Sequence, residues 1–205
     1  DGAGGGVNII FATTDEKGGE GTEQFKTFGS GPASAINDYP SIMKATSDGG
    51  FIIVGTSSVD EEDVLNDEVD NDNRIILMKV TATRTLTYFE TININDLAGN
   101  LGSQVRTGDP IASNGIDVIE LSTGGFLVGG KRIGGTLGET KEPSGEDIFL
   151  VKTNSFGQVV DENTGEMLDG LWETKFGGLG DDSANGLLEL PDGKLIVVGT
   201  NDFGG

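Results

Sequence analysis

Ser47-Asp48-Gly49-Gly50-Phe51-Ile52-Ile53-Val54-Gly55-Thr56 recurs as Ser122-Thr123-Gly124-Gly125-Phe126-Leu127-Val128-Gly129-Gly130-Lys131 and again as Pro191-Asp192-Gly193-Lys194-Leu195-Ile196-Val197-Val198-Gly199-Thr200. Each copy reads as a tight turn, a short buried strand, and a glycine where the strand bends or packs closely. A second short strand precedes each turn: Ser41–Thr46, Ile116–Leu121 and Gly186–Leu190. Strand, short turn, strand is the signature of a β-hairpin. The hairpins repeat at spacings of 124 − 49 = 75 and 193 − 124 = 69 residues, so internal repetition governs the reading of the whole chain.

Another pair of strands follows each hairpin. Ile75–Val80 matches Ile148–Thr153, with Ile9–Thr14 as a weaker copy. Then come Thr85–Glu90, Leu171–Phe176 and Glu23–Phe28, the last two running into glycine turns. Four antiparallel strands per repeat predict an all-β chain built of β-propeller blades. The order divides residues 1–205 into a half blade (1–30), two blades (40–93 and 115–178) and a second half blade (184–205), about three blade equivalents. Propellers typically need 4–8 blades to close. Two completions follow: the segment belongs to a longer propeller, the favoured expectation, or a second chain completes the ring as a homodimer. The repeat exceeds the roughly 40–50 residues of the commonest blades. The extra length falls in connections at Ser57–Asn73, Asn93–Asn114 and Asn154–Gly170, where surface loops tolerate insertion.

The combined pattern is GG-x-GDD, a short strand, a DGG-type turn, an apolar strand ending in VGT, a D-I-x-x-V-K-T-N strand, and L-W-x-x-x-FGG. It resembles β-propeller repeats of bacterial surface and secreted proteins, common in Bacteroidetes-type organisms. The clearest copy spans Asp147–Thr200 and includes Gly177-Gly178-Leu179-Gly180-Asp181-Asp182. The turn after Phe28 lacks the Asp pair, and Asn93–Asn114 replaces the glycine turn altogether. The resemblance implies an extracellular or cell-surface protein, with a lipid anchor upstream of Asp1 as one arrangement. It speaks to fold more than to function, because propellers host many unrelated activities.

Composition narrows the chemistry. The chain has 34 Asp and Glu against 13 Lys and Arg, a formal net charge of −21. Such a surface repels nucleic-acid phosphates and anionic lipid. It suits a cationic or calcium-dependent partner, while serving solubility in any case. With no Cys and no His, cysteine or histidine metal sites, cysteine nucleophiles and a Ser-His-Asp hydrolase are excluded from this chain alone. Apolar runs such as Phe51–Val54 and Leu195–Val198 are far too short to span a bilayer, so no transmembrane segment is expected. No apolar leader precedes the first strand, which suggests a processed or cut N-terminus.

The acidic stretch Asp60–Asn73 is the most suggestive local feature. Asp67, Asp70 and Asp72 are the candidate calcium ligands, since calcium takes six to eight oxygens. The stretch lacks the glycine and distal glutamate of an EF-hand loop, and a solvated acidic loop is the simpler reading. Asp181-Asp182 either lines a ligand face or binds a cation, or else fixes an inter-blade turn by accepting backbone N–H groups, the last being favoured. Gly2–Gly6 precedes a strand and Gly134–Gly138 lacks a following Lys-Ser/Thr, so neither is a nucleotide loop. Trp172, the single tryptophan, falls in a fourth strand where packing between blades suits it.

These features predict a binding or scaffolding module without catalysis, which presents loops, notably Ser57–Asn73 and Glu139–Glu146, to a protein or glycan partner. A carbohydrate-active enzyme or sugar-binding propeller using paired carboxylates and an accessory component of an outer-membrane surface assembly are the alternatives.

Overall fold

A computed structural model describes residues 7–18, 24–28, 36–59, 73–92, 113–133, 146–159, 168, 173–177 and 180–202. Every regular element among them is a strand. The first sheet pairs β1 (Ile9–Thr13) with β2 (Gln24–Phe28). The second holds β3 (Ile36–Ala45), β4 (Phe51–Val59), β5 (Asn73–Val80) and β6 (Leu86–Ile92) in chain order. The third holds β7 (Ser113–Glu120), β8 (Phe126–Ile133), β9 (Glu146–Thr153) and β10 (Glu173–Phe176), also in chain order, and the fourth pairs β11 (Asp182–Glu189) with β12 (Leu195–Asn201). All pairings are antiparallel. The chain is thus all-β with several small antiparallel sheets, and no closed ring forms among the described residues.

The sheets stack face to face in chain order, and the strand sequences explain why. Ile52, Val54, Ile75 and Leu77 of the second sheet pack with Val118, Phe126, Val128, Phe149 and Val151 of the third. The intervening residues Ile53, Ile76, Met78 and Val80 point the other way, onto Ile9 and Phe11 of the first sheet, where the Phe11 and Phe51 rings lie 5.6 Å apart. Leu127 and Leu150 continue the pattern onto Leu187 of the fourth sheet, joined by the half-buried Leu195 and Val197. A strand covered on both faces has no reason to alternate apolar with polar residues. That is why β5 reads as the near-continuous run Ile75-Ile76-Leu77-Met78, all fully buried.

The three repeated turns share one hydrogen-bond pattern. Thr46 and Leu121 and Leu190 each donate their N–H to a carbonyl four residues on, and each accepts from the glycine at position 49, 124 or 193. Those glycines have φ of 79°, 87° and 80°, the left-handed conformation in which a Cβ is strained. The other connecting turns repeat the motif with Gly18 and Gly157, whereas at the β5–β6 turn the left-handed position is filled by Arg84 (φ 64°). Its guanidinium reaches Thr13 Oγ1 of the first sheet at 2.5 Å, a contact a glycine there would lose.

Each hairpin also carries one irregularity at the same place. The register slips between Pro40 and Ile42, between Gly115 and Asp117, and between Ala184 and Gly186. The extra residue in each first strand is a β-bulge, which bends the strand and flips the side chains beyond it.

Candidate functional site

Strand order gives the stack two chemically different ends. The tight turns 46–50, 121–125 and 190–194 and the β5–β6 turn lie at one end, here called the turn end. The ends of neighbouring sheets are aligned by direct bonds. Ser47 donates its N–H (2.6 Å) and its hydroxyl (2.9 Å) to the two carboxylate oxygens of Glu120 on β7. Ser122 does the same to Glu189 on β11, at 2.6 and 2.8 Å. Each turn is thereby clasped to the following sheet by a charge-assisted pair of hydrogen bonds.

Antiparallel pairing then forces the segments 29–35, 60–72, 93–112 and 134–145 to join strands at the opposite, open end. Eight of the thirteen residues in 60–72 are Asp or Glu. Asp67, Asp70 and Asp72 fall in this segment and lie outside the described residues, as do Glu139, Glu142 and Trp172. The described strand ends at this open end add Asp38, Asp147, Asp181, Asp182 and Asp202. The open end therefore gathers these framework carboxylates and the acidic sequence 60–72.

The framework carboxylates there are not equivalent. Asp38 and Asp182 occupy the same position of their hairpins, two residues before the bulge-flanking Pro40 and Ala184, and both are fully buried. Asp38 donates its backbone N–H to Val7 O at 2.8 Å, while the neighbouring Asn37 side chain accepts from Val7 N, so the chain before β1 is tied to β3. At the other junction, a Cβ on Gly177 would run into carboxylate oxygens of both Asp147 and Asp182. The glycine lets two acidic side chains from adjacent sheets meet at its Cα. Asp181, by contrast, is exposed, and its carbonyl accepts from Asp202 N at 3.1 Å. Of the sequence pair Asp181-Asp182, one side chain therefore faces solvent and the other lies inside the junction. Among the described residues no three acidic, histidine or cysteine side chains are grouped to hold a metal ion.

Two further charged groups were not visible as sites in the sequence. Asp117, buried on β7 immediately after the bulge, accepts from Val118 N (2.8 Å) and from Leu187 N of the fourth sheet (2.7 Å). It also meets Lys44 Nζ of the second sheet at 2.5 Å. One carboxylate thus pins three sheets. Lys79, mostly buried on β5, reaches Asp48 Oδ2 and Oδ1 at 2.8 and 3.0 Å. Only the recurrence of Glu120 and Glu189 at one repeat position, opposite Ser47 and Ser122, was available in the sequence to mark the clasps.

Asp48 has a testable pH signature. The Lys79 ammonium foremost, then the Thr46 hydroxyl (2.6 Å) and Gly50 N–H (2.9 Å), hold its carboxyl well below the usual carboxylate range. A depressed folded-state pKa means the unfolded chain binds the proton more readily, so the contribution is present above the unfolded value of about 4 and fades as pH falls below it. Asp48 is more than half exposed, and water screens much of the attraction. Asp48→Asn is expected to lower stability modestly at neutral pH, with the gap to wild type narrowing steadily below about pH 4. Urea unfolding midpoints of both proteins across that range check it; a gap independent of pH would show that the ion pair is not its source. The Tyr88 hydroxyl is buried and has no hydrogen-bond partner among the described residues, and burial, reinforced by the charges of Glu90 and Asp48, pushes its phenol up.

Searches of protein-family models and of curated protein sequences return no match to this chain. Among the described residues no helix is long and apolar enough to cross a membrane.

Proposed function

We propose that the stack is an arc of β-propeller blades and works as an extracellular or cell-surface binding module whose acidic open end takes a cationic partner or calcium. The observation that carries this reading is the division of labour between the two ends. At the turn end the three hairpin turns are short and alike, and two are tied to the next sheet by the Ser47–Glu120 and Ser122–Glu189 clasps; the long connection there is β9–β10, residues 154–172. The open end receives the acid-rich segment 60–72, together with 29–35, 93–112 and 134–145. A rigid framework that gathers variable loops at one end is how repeat architectures position recognition elements. Carboxylates concentrated there attract cationic groups and speed encounter with them.

No catalytic step is assigned. Asp147 and Asp182 converge at Gly177, but Asp182 is fully buried, and a carboxylate without access to solvent cannot protonate a glycosidic oxygen.

The test replaces residues 60–72 with a Gly-Ser linker of equal length and titrates both proteins with calcium chloride and, separately, with octalysine. Binding of at least one probe by the parent and its loss in the linker variant, with an unchanged circular dichroism spectrum, is the expected result. A parent that binds neither probe, or a variant that binds as well as the parent, overturns the assignment.

A further inference from the structure

Among the described residues the two outer sheets each leave an apolar face exposed and strand edges unpaired, and the two are complementary. On the fourth sheet, Ile196 is 39% and Val198 63% exposed, with Leu188 at 54% beside them. The residues at the same positions in the second sheet, Ile52 and Val54, are fully buried, as is Leu127 of the third. On the first sheet, Ile10 and Phe25 are 66% and 67% exposed. Among the described residues β12 has no neighbour on its outer edge, where β4 and β8 take β5 and β9. β1 and β2 have the features of that missing pair: Ile9 and Phe11 face the following sheet as Ile75 and Leu77 do, and Gly18 closes the same turn as Gly157.

We propose that β11–β12 of one copy and β1–β2 of a second copy join into a four-stranded sheet, so that two chains close one ring. The register follows from the inner sheets, in which Phe51 faces Val80 and Phe126 faces Thr153. Carried to the outer pair, it sets Leu195 opposite Thr14, Val197 opposite Ala12 and Val198 opposite Phe11 of the second copy. Faces then match without adjustment. Val198 and Ile196 fall on the side of Phe11 and Ile9 that already packs on the second sheet. Ile10 and Phe25 fall on the side of Val197 and Leu195 that already packs on the third.

The clasp residues supply an independent match. Ser47 bonds Glu120 of the next sheet and Ser122 bonds Glu189. The equivalent turn position in the fourth sheet is Pro191, which has neither N–H nor hydroxyl. In the closed arrangement the strand following this turn is β3 of the second copy, and its residue at the Glu120 position is Ala45. The turn with no donor meets the strand with no carboxylate. A further repeat bearing glutamate there would set a charge against a proline. Ring closure rests on the blade reading above: three blade equivalents per chain give six from two, within the usual range of 4–8.

The chain contains no cysteine, which makes the pairing directly testable. Residues opposite one another in antiparallel strands have Cα atoms about 4.5–5.5 Å apart, inside the span a disulfide bridges. Mixing the Ala12→Cys and Val197→Cys variants under oxidising conditions is expected to give a disulfide-linked heterodimer, with no crosslink in either variant alone. Light scattering should return twice 21.3 kDa for the parent and a folded monomer for Val198→Asp, which changes a side chain already exposed in one chain. A monomeric parent, an absent crosslink, a ladder of larger oligomers, or a dimeric Val198→Asp each overturns the proposal. The loop-replacement experiment leaves both outer sheets intact, so failure of ligand binding and failure of pairing are separate outcomes.

Discussion

Replacing Asp117 with alanine is expected to cost about 3–5 kcal/mol, the range for stripping one partner from a buried charged cluster. The carboxylate is almost completely enclosed and serves Val118 N–H, Leu187 N–H and the Lys44 ammonium together. Alanine strands both amides without an acceptor, each costing about 1–3 kcal/mol, and leaves Lys44 facing a cavity. Asp117→Asn keeps the shape, yet its carboxamide has one acceptor oxygen where two are in use, and its NH2 group confronts a donor. An intermediate loss is expected for it. Lys44→Met keeps both amide bonds but leaves the buried Asp117 carboxylate without its counter-ion, so a substantial loss is expected there too. Urea midpoints with an unchanged m-value would report these as stability differences. That alanine at 117 costs more than asparagine is the content of the prediction. An alanine variant within about 1 kcal/mol of wild type, the net worth of one ordinary hydrogen bond, would mean that Asp117 does not pin the sheets.

Asp117 also shows where sequence reading stops. The apolar runs Phe51–Val54 and Ile75–Val80 were legible because two-sided burial leaves an uninterrupted apolar signal, and the turns because the left-handed position nearly always carries glycine. The starts of β3, β7 and β11 were placed late: Ser41, Ile116 and Gly186 were expected, and Ile36, Ser113 and Asp182 are observed. The reason is the bulge. At Ser41, Ile116 and Asn185 the strand gains a residue, the inward and outward positions exchange, and the alternating pattern breaks although pairing continues. Pro40 sits within β3 because a proline is tolerated in a strand at a bulge. Sites fared differently from strands. A lone Asp inside an apolar strand does not announce that it will meet an amide 70 residues away; that requires the stacking of one sheet on another. The acidic stretch containing Asp67, Asp70 and Asp72 was conspicuous by composition alone, which does not specify geometry.

Gly124 and Gly125 offer a comparison in which neighbouring residues share an unusual backbone but differ in surroundings. Both have positive φ, 87° and 78°. Around Gly124 a Cβ would meet nothing within 4 Å, so Gly124→Ala carries only the conformational penalty of about 1–2 kcal/mol. At Gly125 the same Cβ would strike the carbonyl oxygen of Thr153, with Asn154 backbone atoms at 3.2 Å behind it. Thr153 is fully buried at the end of β9, and it cannot retreat without breaking the β8–β9 ladder at its Phe126 pairing. Gly125→Ala therefore combines the backbone penalty with overpacking of about 1–3 kcal/mol, for a total of roughly 2–5 kcal/mol. Parallel urea unfolding of the two variants checks the difference. If both alanines cost the same, conformation alone governs the turn, and the close approach of the turn to the third strand is not a constraint. If Gly125→Ala is clearly the worse, the turn is fixed as much by β9 as by its own hydrogen bonds. The hairpins would then owe their geometry to the sheet they enter.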